Sequence, residues 1–147
     1  MSLVLTLVLI VTSIVFYVYA PDLVPIRFNG VGEVSSWGPK GICFVLTVVG
    51  ALGGILLLWA AYDHKYVNIP ARIRPECRMH QLVLVGKMAR IVAVIFNLLF
   101  LSILFSMAVV SFHLDCPWHG LISDILGAML LMVILVFTVW INRVGRR

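Results

Sequence analysis

Four long apolar runs dominate this chain of 147 residues, at about residues 3–20, 41–61, 91–112 and 119–142. A helix needs about 20 apolar residues to cross a hydrocarbon core of about 30 Å. A helix also pairs its own backbone N–H and C=O groups, which lipid cannot do. With 63% hydrophobic and 12% charged residues, the chain leaves no room for a separate soluble domain. We therefore predict an all-α, polytopic membrane protein, a single membrane domain with four transmembrane helices.

The basic residues predict the orientation of these helices. Two connections are long, an outer loop at 21–40 and a basic loop at 62–90. The positive-inside rule places Lys- and Arg-rich segments in the cytoplasm. Nine of the 11 basic residues follow it if the basic loop and both termini are cytoplasmic: Lys65, Arg72, Arg74, Arg78, Lys87, Arg90, Arg143, Arg146 and Arg147. The charge of +5 thus reports orientation in a lipid bilayer, and we expect no nucleic-acid partner.

The predicted outer loop has its own pattern of prolines, glycines and aromatic residues. Prolines favour an extended backbone, and Asn-Gly and Gly positions tolerate positive φ, so a defined turn and an ordered extracytoplasmic loop are expected. The residues of this motif are Pro21, Val24, Pro25, Phe28, Asn29, Gly32, Trp37, Gly38 and Lys40.

This motif, between two apolar runs, resembles the family of bacterial membrane proteins called domain of unknown function 1648. The same region forms the N-terminal part of immunity proteins against the sporulation-delaying-protein toxin. The resemblance implies a multi-pass protein of the bacterial cytoplasmic (inner) membrane. The resemblance to the immunity proteins suggests that the loop residues contact a partner. Arg27 is a departure from the family, which often has histidine at this position.

Two polar residues stand inside the apolar runs. Asp124 lies about one turn inside the fourth run, where a carboxylate is costly unless it is paired or reaches water. It could pair with Arg27 or Lys40, line a polar cavity, or meet lipid headgroups. Asn97 could form a polar seam with Ser102 and Ser106 or hydrogen-bond between helices as a structural contact.

Small residues recur in the second run. Gly50 and Gly54 have the GxxxG spacing that lets helix backbones approach closely. This pattern predicts packing within the bundle, with a homo-oligomer as the alternative.

The connection before the fourth run could hold a metal, because His113, Asp115, Cys116 and His119 all carry metal-binding side chains. Their spacing matches no established metal motif, so we predict neither a metal nor a cofactor. Cys43 and Cys116 both fall near predicted outer helix ends. A disulfide between them is an alternative to free thiols.

The HExxH, GxSxG and P-loop motifs are absent from the sequence, so we expect no enzyme. The leading hypothesis is a non-enzymatic membrane protein, immunity-like or regulatory, that recognises a membrane-active peptide toxin or a partner membrane protein through its outer loop. The alternative is a small transport or channel-like subunit with a polar path near Asp124 and Asn97.

Overall fold

The structure is a computed structural model that describes residues 2–29, 33–62, 78–114 and 118–144, without the side chains of residues 78–81, 119 and 144. Its elements in chain order are α1 (Ser2–Tyr19), β1 (Leu23–Phe28), β2 (Val34–Pro39), α2 (Ile42–Tyr62), α3 (Arg78–Ser111) and α4 (His119–Val144).

All four helices are long and apolar enough to cross a membrane, as the sequence predicted. The third begins well before the apolar run at 91, because the polar segment ahead of that run continues the same helix. With 34 residues, α3 is about 51 Å long at 1.5 Å per residue, so it exceeds the hydrocarbon thickness by about 20 Å.

Side-chain contacts show which helices of the bundle are neighbours. Leu9 of α1 and Phe100 of α3 both lie against Gly50 of α2. Ser123 of α4 lies 3.1 Å from Ser102 of α3, oxygen to oxygen. Helices α1, α2 and α3 form a three-helix core, and α4 packs along α3. We call the end of the bundle that carries the two strands the hairpin end.

The interior combines a few large apolar side chains with small and hydroxyl-bearing ones. Leu9, Leu104 and Met107 are enclosed near the centre. Apolar surface gains little from leaving lipid, so close packing and interhelical hydrogen bonds must hold such a bundle together. The buried polar residues are Ser2, Thr6, Ser13, Thr47, Asn97, Ser102, Ser106 and Ser111.

The segment between α1 and α2 folds into an antiparallel hairpin of β1 and β2, which the all-α prediction did not include. Pro25 pairs with Trp37 and Arg27 with Ser36, so Ile26 is an extra residue on β1 and forms a bulge. A proline and a bulge break the alternation by which a strand is recognised in sequence. The pattern therefore indicated only a turn.

Helix α3 ends in a tight cap at the hairpin end. The N–H of Leu114 donates to the C=O of Val109, and the N–H of His113 donates to that of Val110. These two bonds form a Schellman motif, in which the residue at the position of His113 is usually glycine. His113 adopts φ = 52° there.

Candidate functional site

The hairpin is anchored to the bundle by its first strand. Val24 is fully buried in the core cluster that contains Phe16, Leu104 and Met107. Opposite Val24 on β2 is Gly38, where an added Cβ would stand 2.5 Å from Cδ1 of Ile26. The glycine thus makes room for the bulged isoleucine, which explains why glycine follows Trp37 in the motif.

The base of the hairpin is closed by Lys40. Its Nζ lies 3.1 Å from a carboxylate oxygen of Asp22 and 5.3 Å from the ring centre of Tyr17. The backbone N–H of Lys40 also donates to the C=O of Asp22. Of the alternatives considered for Asp124, the pairing with Lys40 is therefore not the one observed, because Lys40 pairs with Asp22 in the hairpin.

The tip of the hairpin is closed by Asn29 and Glu33. The Asn29 N–H donates to the Glu33 C=O, and the side-chain amide of Asn29 donates to the Glu33 carboxylate at 3.0 Å. The Glu33 N–H donates back to Oδ1 of Asn29 at 2.8 Å. Gly32 of the motif lies outside the described residues.

The anchored hairpin presents an apolar surface with one cation. Leu23, Ile26 and Trp37 are exposed, and we call these three residues the hairpin surface. Arg27 is exposed beside them. Pro21 is exposed at the start of the hairpin, whereas Pro25 is buried and Phe28 half-buried against the core. Some residues of the hairpin therefore anchor it to the core, and others are exposed on its surface.

Asn97 lies at the junction of the three core helices. Its Nδ2 donates to Ala93 C=O at 2.8 Å and to Ser2 Oγ at 3.3 Å. Thr6 Oγ1 lies 3.1 Å from both Asn97 Oδ1 and Ser2 C=O, so it can donate to either. Sequence reasoning found Asn97 but missed Ser2 and Thr6, although their i, i+4 spacing places both on one helix face.

Ser102 and Ser106 form a second polar contact, this one with α4. Ser123 lies 3.1 Å from Ser102 and 3.5 Å from Ser106, oxygen to oxygen. Asn97 faces α1 and α2 instead, so these polar residues make two separate interhelical contacts.

Asp124 follows Ser123 in α4, and its side chain is exposed. In the described part of the chain Asp124 forms no ion pair, so the alternative of a pairing with Arg27 is not observed either. Strand β1 and helix α4 both pack against α3. Asn97 is buried among the core helices, whereas Asp124 is exposed on α4. The two residues of the proposed polar path therefore have different surroundings.

Gly50 and Gly54 pack inside the bundle. A Cβ at Gly50 would stand 2.8 Å from Leu9 Cδ2, and one at Gly54 would stand 2.5 Å from Asn97 Nδ2. Adjacent Gly53 is as close to the ring of Phe96. These glycines serve helix packing within one chain.

The weak metal cluster and the disulfide alternative involve residues beyond the described set. Asp115 and Cys116 lie outside it, as does the side chain of His119, and His113 forms the cap of α3. The described residues contain no group of three or more potential metal ligands. Cys43 is a buried free thiol in the structure, and Cys116, its partner in the disulfide alternative, lies outside the described residues.

Four apolar helices and an anchored hairpin define the class of this chain as a multi-pass, membrane-protein-like bundle. Residues 4–51, which comprise most of α1, the hairpin and the first half of α2, match the family "Domain of unknown function (DUF1648)". The predicted resemblance to this family is thus confirmed over residues 4–51. No curated protein and no solved structure matches the chain.

Proposed function

We propose that this chain is a non-enzymatic protein of the bacterial cytoplasmic membrane that recognises a membrane-active peptide or a partner protein through its hairpin surface. The observation that carries the proposal is a hairpin fixed to the bundle by buried Val24 while Leu23, Ile26 and Trp37 remain exposed. The positive-inside distribution supports a location of the hairpin on the extracytoplasmic side.

The hairpin offers two ways to hold an extended or amphipathic peptide. Both of its strands are edge strands, since the described residues form a sheet of two strands. An extended peptide can add to such an edge through backbone hydrogen bonds. Trp37 supplies a rigid aromatic side chain at the level where aromatic rings meet lipid headgroups, so a peptide that inserts into the bilayer would encounter it.

The proposal is tested by a protection assay. Cells with and without the chain are challenged with secreted hydrophobic, membrane-active peptides, beginning with any that is encoded beside its gene, and survival is counted. We expect the chain to protect, and Trp37→Ser to reduce protection by about tenfold, the effect of losing about 1.4 kcal/mol of binding.

A matched control uses the other end of the bundle. Trp140 is 50% exposed and Trp37 is 51% exposed, so the two substitutions remove equal aromatic surface. Trp140→Ser should leave protection unchanged at equal amounts of protein in the membrane. Failure of the unsubstituted chain to protect, or equal effects of the two substitutions, would contradict the proposal.

A further inference from the structure

Helix α4 is the least enclosed element of the bundle. Among its described side chains only Ile141 is buried, whereas α1 and α2 each bury five. The half-buried positions, which include Ser123, Gly127 and Phe137, follow the helical repeat and mark the side toward α3. The opposite side of α4 is exposed along its whole length.

Asp124 lies on that exposed side, among Leu121, Ile125 and Ala128, which are also exposed. It is the sixth residue of the helix and lies about 7.5 Å from the helix start at 1.5 Å per residue. Acidic residues within membrane helices almost always face protein or water and pair with another group. Among the described residues, none forms an ion pair with Asp124 and no helix encloses its side chain.

Arg27 is the complementary charge at the same end of the bundle. The other cation of the hairpin, Lys40, is held by Asp22, whereas Arg27 is exposed and forms no ion pair with any described residue. A guanidinium presents a planar pair of donors that matches a carboxylate. Among the described residues at the hairpin end, Arg27 is thus an exposed cation and Asp124 an exposed anion, each without an ion pair, and the two do not meet each other.

We propose that the exposed side of α4 is an interface with a second copy of this chain, in which Arg27 of each copy pairs with Asp124 of the other. In a two-fold symmetric pair the same patch serves both copies, so one contact between residues 27 and 124 is made twice. These two contacts give each arginine and each aspartate an ion-pair partner, and no other protein is needed. It also covers the apolar side of α4, and it is independent of the peptide recognition proposed above.

The test exchanges the two charges between copies that carry different C-terminal tags. Each copy is co-expressed with a second one, and co-purification is measured in mild detergent. Unsubstituted copies should co-purify. Asp124→Arg with itself and Arg27→Asp with itself should each co-purify at least about tenfold less, because like charges then face each other. Asp124→Arg with Arg27→Asp should recover most of the signal, because both pairs are restored in reversed form.

Three controls make the outcome decisive. Arg143→Asp alters an exposed cation at the other end of α4 and should leave co-purification unchanged. Asp124→Asn and Arg27→Gln remove one charge each without reversing it, and they should lower co-purification even if a charge reversal impairs insertion. The proposal is overturned if unsubstituted copies do not co-purify, if Asp124→Asn and Arg27→Gln have no effect, or if the mixed charge reversals recover nothing. Contact of Arg27 with lipid phosphate, or of Asp124 with an unrelated protein, would give the last result.

Discussion

The side-chain amide of Asn97 on α3 lies against the backbone of Gly54 on α2, so close that a Cβ on residue 54 would stand 2.5 Å from Asn97 Nδ2. The same amide contacts Ser2 and Thr6 on α1. One side chain therefore joins three helices, and it fits only because residue 54 has no side chain.

We expect Gly54→Ala to destabilise the bundle by about 1–3 kcal/mol, the usual cost of overpacking a well-filled interior. Asn97→Ala should cost about 1 kcal/mol, in the range measured for interhelical hydrogen bonds in membranes. The double variant should cost less than the sum, because the shortened residue 97 makes room for the new methyl group. Unfolding in mixed detergent micelles measures all three free energies.

Gly127→Ala is the matched control for this cycle. A Cβ there would stand 3.6 Å from Leu99 Cδ1, an ordinary contact distance. Since alanine favours the helix over glycine by about 1 kcal/mol, this variant should be neutral or more stable. Equal losses for Gly54→Ala and Gly127→Ala would contradict the close contact at Asn97.

Val24→Ser should release the hairpin from the bundle. Burial of a valine side chain contributes about 1.5 kcal/mol or more, and serine loses most of it. Trypsin should then cut after exposed Arg27 several times faster in detergent-solubilised protein. Leu23→Ser alters a neighbour that is 60% exposed and should leave the rate unchanged. If both variants were cut at the original rate, Val24 would not be the anchor.

His113→Gly should stabilise the chain by about 1 kcal/mol. A residue with a Cβ pays about 1–2 kcal/mol in the left-handed conformation, and glycine avoids this cost. His113→Ala keeps the Cβ and should give no comparable gain. Thermal unfolding of the three proteins in one detergent compares them. If alanine stabilised the chain as much as glycine, the gain could not come from relief of backbone strain at residue 113.

The orientation can be mapped with single cysteines in a background in which Cys77 and Cys116 are replaced by serine. We expect an impermeant maleimide to label Ser35→Cys in intact cells, and Lys87→Cys only after permeabilisation, because the basic loop should be cytoplasmic. Both positions are exposed, so their labelling differs only by side of the membrane. The reverse pattern would invert the proposed orientation and remove the basis for an extracytoplasmic hairpin surface.

The helices were predictable because a run of apolar residues has few alternatives in a membrane. The hairpin was not, since Pro25 and the bulge at Ile26 hide its strands from any alternating pattern. Similarly, a single sequence shows that Lys40 needs an anion but not that Asp22, 18 positions earlier, lies beside it across the hairpin base. Which residues become neighbours depends on the register of the two strands, and that register is seen only in the structure.

The contact between Thr6 and Asn97 also imposes an order on biogenesis. The two residues are 91 positions apart, so at about 5–20 residues per second a ribosome makes the asparagine roughly 5–20 s after the threonine. Throughout that delay α1 must reside in lipid without its eventual neighbour, and the bond from Thr6 to the carbonyl of Ser2 gives its hydroxyl an acceptor within the same helix. Helix α1 can thus reside in lipid before α3 is made, and the bundle closes once α3 has been inserted.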